Sequence, residues 1–143
     1  MKSLYVVYWS GTGNTKMMAE AVLEGAKAGG AEAVLCEVGE AKLEDILKSD
    51  AVALGCPSMG CEVLEESEME PFVSALEAKG LNGKQTALFG SYDWGDGQWM
   101  RDWSERMVSA GAKLVDEGLT VRNTPEEDGL SDCKSLGMKL ATA

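Results

Sequence analysis

Seven residues near the start of the chain, Trp9-Ser10-Gly11-Thr12-Gly13-Asn14-Thr15, concentrate hydrogen-bond donors at a turn. Gly11 and Gly13 allow close backbone approach, while Ser10, Thr12, Asn14 and Thr15 offer hydroxyl and amide groups. The stretch follows an apolar run, Leu4–Tyr8, that reads as a buried strand, and it precedes a helical pattern over about Thr15–Ala28. Backbone N–H groups and the positive end of a helix at such a turn can hold an anion, so the predicted chemistry is phosphate binding. The stretch lacks the Gly-Lys-Ser/Thr ending of a nucleoside-triphosphate loop, and Lys16 stands where a dinucleotide fingerprint has its third glycine. An ordinary N-cap at Asn14 or Thr15 would not need so dense a run of small polar residues.

Two further loops carry residues of interest. Cys56-Pro57-Ser58-Met59-Gly60-Cys61-Glu62 is rich in turn formers, and Ser91-Tyr92-Asp93-Trp94-Gly95-Asp96-Gly97 is its counterpart later in the chain. Met59 and Trp94 each stand amid glycine. Taken singly they suit core or surface packing; beside a phosphate turn they can sandwich a planar ring, with Tyr92 a rival for the stacking role. A phosphate at one end and a flat ring at the other describe a mononucleotide, and a flavin fits best.

The elements that must position these loops follow from the hydrophobic pattern. On the first helix Met18, Val22, Gly25 and Gly29 share a face, and Gly29-Gly30 ends it. Ala33–Cys36 reads as a second strand, Leu43–Leu47 as a short helix, and Ala51–Gly55 as a third strand whose continuous apolar run suits a parallel sheet covered on both faces. Pro71 belongs in the first turn of a helix carrying Phe72, Val73 and Leu76. Asn82-Gly83 is a turn, Thr86–Gly90 the fourth strand, and Gln98–Ala110 a helix stopped by Gly111. Lys113–Val121 holds the fifth strand, with an interruption near Gly118, and either Pro125 or Ser131 starts a last helix ending near Ala141. Five strands alternating with five helices predict an α/β fold, an open parallel sheet with helices on both faces. Ligands in such sheets bind beyond the carboxyl ends of the strands, so the loops after strands one, three and four should converge.

Composition bounds the function. A chain of 143 residues, 45% hydrophobic, suits one domain with a real core, expected over residues 1–143. It has no apolar run near the roughly 20 residues of a membrane span and no signal-peptide pattern, which makes the cytoplasm the expected location. A net charge of −11 disfavours nucleic acid and anionic membranes; it suits a basic protein partner, or plain solubility. Cys36, Cys56, Cys61 and Cys133 form no CxxC pair, and the absence of histidine removes Ser-His and Cys-His nucleophiles and makes a zinc site improbable. Cys36 and Cys56 lie in apolar runs, as small core residues do.

Four stretches in order resemble a short-chain flavodoxin of the clostridial and anaerobe type. They are Tyr8–Thr15, then Leu54–Gly60, then Glu62 through Glu70-Pro71-Phe72, and finally Leu88–Tyr92 with Trp94–Gly97. The resemblance covers nearly the whole chain. It implies a three-layer α/β/α fold with a five-stranded parallel sheet in the order 2-1-3-4-5 and tightly bound, non-covalent FMN. It places Ser10, Thr12, Asn14 and Thr15 on the phosphate, joined by Ser91 or Ser58. Met59 is implied on the inner flavin face, Trp94 on the outer one, and Glu62 as acceptor of the flavin N3–H. The cofactor-binding set expected in this way comprises Ser10, Gly11, Thr12, Gly13, Asn14, Thr15, Pro57, Ser58, Met59, Gly60, Cys61, Glu62, Ser91, Tyr92, Asp93, Trp94 and Gly95. The Gly60–Cys61 peptide is implied to turn over on reduction, favouring the semiquinone.

The function so implied is low-potential one-electron transfer, with FMN shuttling between semiquinone and hydroquinone to link redox enzymes that also use ferredoxin. An FMN enzyme such as a quinone reductase is the rival, but this chain has no long insertion and no obvious general acid. A phosphoacceptor domain would need acidic residues where Trp9-Ser10 and Gly55-Cys56 stand. Each carboxylate about 8 Å from the ring, at an effective dielectric near 40, opposes a reduced flavin anion by ~1 kcal/mol. Glu62, Glu65, Glu66, Asp93 and Asp96 are candidates for that effect, and Glu65–Glu70 with Asp93–Asp96 form the expected docking rim of a monomer. Two residues depart from the family pattern, Cys61 and Asp93. A type II turn with Cys61 third requires positive φ there, which suits Gly or Asn better. Cys61→Gly is therefore expected to raise the first reduction potential, read by redox titration; an unchanged potential would count against the turn.

Overall fold

A computed structural model describes residues 2–143, so only Met1 of the expected domain lies outside it. Strands β1 (Ser3–Tyr8), β2 (Glu32–Glu37), β3 (Ala51–Gly55) and β4 (Gln85–Tyr92) are joined by β5 (Lys113–Leu114) and β6 (Leu119–Arg122). The helices are α1 (Asn14–Ala28), α2 (Leu43–Lys48), α3 (Met69–Lys79), α4 (Gln98–Ser109) and α5 (Glu127–Thr142), with a single 3₁₀ turn at Val38–Glu40. All pairings are parallel, in the order β2-β1-β3-β4-β5, with β6 also on β4. The expected 2-1-3-4-5 order is therefore present, its fifth position filled by two short pieces.

The expected interruption of the fifth strand falls over 115–118, and the strand resumes to Arg122, while other boundaries differ from expectation. Met100 of α4 packs on Gly118, where a side chain would collide with it. Ser91 and Tyr92 belong to β4 rather than to a loop, because β6 supplies partners for both, Ser91↔Val121 and Tyr92↔Arg122. The last helix starts at neither proposed residue but at Glu127.

Side-chain size explains the layering. On one sheet face Ala51, Ala53 and Ala87 lie under α1 and α5; on the other, Val52, Leu54 and Leu88 meet α3 and α4. Every residue of β3 is buried, as the unbroken apolar run implied. Small residues let α1 and α5 pack backbone to backbone. Gly25 abuts the Lys134 carbonyl, and Gly137 abuts the Val22 carbonyl and the Ala26 amide. Gly137→Ala is expected to cost about 2–3 kcal/mol by overpacking, measured by urea unfolding of the apoprotein, with the native circular dichroism kept.

Candidate cofactor site

The register aligns the carboxyl ends of the strands. Tyr8 pairs with Gly55, Gly55 with Phe89, and Phe89 with Leu119. Loops 9–13, 56–68, 93–97 and 123–126 therefore leave the sheet at one edge. The ladder continues into them: Trp9 N–H donates to Gly55 O (3.0 Å), Cys56 N–H to Phe89 O (3.1 Å), Ser58 N–H to Ser91 O (3.0 Å) and Asn123 N–H to Tyr92 O (2.6 Å). Between them lies a cleft of ≈ 290 Å³ lined by Trp9, Gly11, Thr12, Asn14, Pro57, Ser58, Met59, Ser91, Tyr92, Asp93 and Asn123. Larger recesses, of ≈ 710 Å³ beside α4 and ≈ 530 Å³ at the opposite sheet edge, touch none of the donor-rich turn.

The turn itself is built for an anion. Gly13 sits at the N-cap of α1 with φ 98° and offers no side-chain cap, and α1 has no acidic residue in its first turn. Ser10 Oγ accepts the Gly13 and Lys16 amides at 3.1 and 3.3 Å, so its own proton remains free to donate outward. The Asn14 and Thr15 amides have no partner among the described residues. Beneath the turn, Thr15 Oγ1 and Ser91 Oγ are 2.9 Å apart and buried, which ties α1 to β4.

The loop after β3 forms a tight hairpin, Met59 and Val63 exchanging both backbone hydrogen bonds at 2.9 and 3.0 Å. At its tip Gly60 and Glu62 have positive φ, 48° and 55°, whereas Cys61 does not. Cys61 is exposed and free; Cys56 is buried, and burial pushes its thiol up to about 12. Glu62 turns away from the cleft, its Oε1 accepting the Gln98 N–H at 3.1 Å. Trp94 also stands outside the cleft, 57% exposed, and Gly95 lies against the Glu62 carboxylate.

The acidic rim is narrower than expected. Glu65 is buried, 7% exposed, and accepts the amides of Ser67 (2.8 Å), Glu68 (2.8 Å) and Met69 (3.0 Å) as well as the Ser67 hydroxyl. Burial pushes its carboxyl up, but these hydrogen bonds outweigh burial and hold it below the usual range. Glu70 is held low chiefly by the Arg106 guanidinium, which binds it through two nitrogens at 2.8 and 2.7 Å and reaches Glu77 as well. Asp96 pairs with Arg101 at 3.0 Å. Glu65 and Glu70 are thus tied into the fold, leaving Glu66, Glu68, Asp93 and Asp96 exposed.

The cleft also uses residues given no role by sequence reasoning. Trp9 lines it from the start of the donor-rich turn. Asn123, at φ 60°, comes from the loop after the fifth strand. The rule that such loops share one edge, with Asn-Thr-Pro marking a turn, was the available signal for it.

A doubly wound sheet with an open helix N-terminus and flat side chains at its carboxyl edge defines a mononucleotide-binding α/β protein. Comparison with known proteins narrows this. A family model described as Flavodoxin matches residues 6–137. The chain is 47% identical over 136 residues to a flavodoxin of Clostridium beijerinckii, spanning 95% of this chain and 97% of that one. It is 42% identical over 138 residues to a flavodoxin of Megasphaera elsdenii, spanning 96% and 98%. The solution structure of two-electron reduced Megasphaera elsdenii flavodoxin superposes with a TM-score of 0.88 at 41% identity, covering 98% of this chain and 99% of that one. The chain belongs to the flavodoxin family. It is an FMN-binding electron-transfer protein serving redox partners, rather than a stand-alone enzyme. Among the described residues no helix is long and apolar enough to cross a membrane, and no acidic or cysteine cluster could hold a metal ion.

Glu65 links this site to pH. Its folded pKa lies below the unfolded value near 4.3, so its stabilisation is complete above about pH 5 and is lost as pH falls through the folded value. Glu65→Gln is expected to cost about 1–2 kcal/mol at pH 7, with the gap to the parent chain closing as pH falls through the folded value; urea unfolding over a falling pH series measures it.

Proposed function

We propose that the cleft seats FMN in a low-potential carrier that links redox enzymes, as a cytoplasmic monomer formed by one domain over residues 1–143. The observation that supports this best is the first turn of α1. Among the described residues no carboxylate hydrogen-bonds it, so its amides suit a phosphate. The phosphate would be held there by the amides of residues 11–15 and the side chains of Ser10, Thr12, Asn14 and Thr15, with Ser58 and Ser91 adjacent. FMN supplies the one-electron chemistry; the protein supplies position and electrostatics.

The other loops fit a ring. Met59 and Tyr92 line the cleft with Trp9, Pro57 and Asp93. Gly60, Cys61 and Glu62 form the hairpin tip at its border, and Gly95 gives Trp94 freedom to close over it. An indole standing 57% exposed gains by being covered. Glu66, Glu68 and Asp93 suit a basic docking surface on oxidoreductases that also use ferredoxin, and the net charge of −11 disfavours nucleic acid and membranes as partners.

Apoprotein mixed with FMN is expected to bind it 1:1 with loss of flavin fluorescence; protein that stays colourless would overturn the reading. Covering the exposed part of Trp94, roughly 100 Å², is worth about 2 kcal/mol. Trp94→Ala is therefore expected to weaken FMN binding some ~30-fold, read by fluorescence titration.

A further inference from the structure

The Met59–Val63 hairpin and the Trp94 loop meet through one side chain. Glu62 Oε1 takes the Gln98 N–H at 3.1 Å, and its carboxylate lies on Gly95, where a methyl group would fall 2.6 Å from Cδ. The Glu62 backbone sits at φ 55°. Left-handed geometry in a residue with a Cβ persists where the surroundings enforce it, and such strain clusters at functional segments. A second tie lies at the root of the same loop: Trp99 Nε1–H donates to Cys56 O at 3.2 Å, with the indole 1% exposed. Gln98 and Trp99 open α4, which has Gly97 at its N-cap, no capping side chain of its own and no acidic residue in its first turn. The first turn of α4 therefore grips the loop at both root and tip.

We propose that Glu62 and Trp99 are positioning residues that lock the two cofactor-facing loops to α4 as one unit. The spacing of the loops is then set before a ligand enters, and binding does not have to order them. Glu62 Oε1 caps α4, while its carboxylate rests on Gly95. Gly95 is part of the device, because any larger residue there would displace the carboxylate. The FMN reading supplies the ligand, but the lock itself is a property of the apoprotein.

Hydrogen exchange by NMR on the apoprotein tests the lock without a cofactor. Gln98 N–H is protected by Glu62 alone, so Glu62→Ala should speed its exchange about 10-fold or more, whereas Glu62→Gln, which keeps a carbonyl acceptor, should stay within about 3-fold of the parent. Trp99→Phe keeps an aromatic ring but removes the donor and part of the buried bulk, and should also speed Gln98 exchange. FMN titration of both single variants and the double variant completes the test. One unit predicts that the double loss of affinity falls short of the product of the single losses. Unchanged Gln98 exchange in Glu62→Ala, or losses that multiply, overturns the lock. If Trp99→Phe fails to fold, the contrast between Glu62→Ala and Glu62→Gln decides alone. Faster Gln98 exchange in a protein that takes up no FMN would support the lock while sinking the FMN reading.

Discussion

Parallel α/β architecture aims the positive ends of its helices at the edge where the loops converge, and those ends must be satisfied. In this chain α2 and α5 carry acids in their own first turns, Glu44 with Asp45 and Glu127 with Asp128. The loop after β3 closes two more, Glu65 at the start of α3 and Glu62 at the start of α4. Only α1 is left without a carboxylate among the described residues, and Ser10 Oγ takes the Gly13 and Lys16 amides there. That end is therefore the one suited to an anion from outside the protein, and a carboxylate side chain placed there would compete with it.

The same loop after β3 must be rigid where it caps and compliant where it meets a ligand. Its ends are fixed by Trp99 on Cys56 O, by Ser58 on Ser91 O and by Glu65 on residues 67–69. Its tip is a hairpin closed by Met59 and Val63, so backbone freedom is confined to the peptides between them. In this state positive φ falls on Gly60 and Glu62, and Cys61 keeps an ordinary backbone. Any rearrangement that moves positive φ onto Cys61 works against its Cβ, a penalty that Gly60, next to it, does not carry.

Much of this was legible in the sequence. The apolar run Ala51–Gly55 gave the central strand because burial on both faces leaves no polar alternation. The Ser10–Thr15 turn stood out because a strand, small polar residues and a helix follow one another in it. Positions governed by long-range pairing were less legible. Ser91 and Tyr92 looked like loop because their partners, Val121 and Arg122, lie about 30 residues on. Glu65 looked like one acid among several, yet it is buried by its own backbone partners. Nothing local distinguishes it from Glu66. Trp99 reads only as an apolar helix residue; the carbonyl it serves is 43 residues away.

Acidity on this molecule therefore has two separable effects. Glu65 and Glu70 keep their charge through fixed donors, three amides in one case and Arg106 in the other, so their contribution is architectural. Glu66, Glu68 and Asp93 are exposed, and their field reaches into solvent. Ions screen an exposed charge over about 8 Å at physiological salt, but they act weakly on hydrogen bonds inside the fold. Salt should consequently reach encounters with a basic surface long before it reaches the loops that surround the cleft. A single count of carboxylates near the site merges these groups, and only their hydrogen-bond partners separate them.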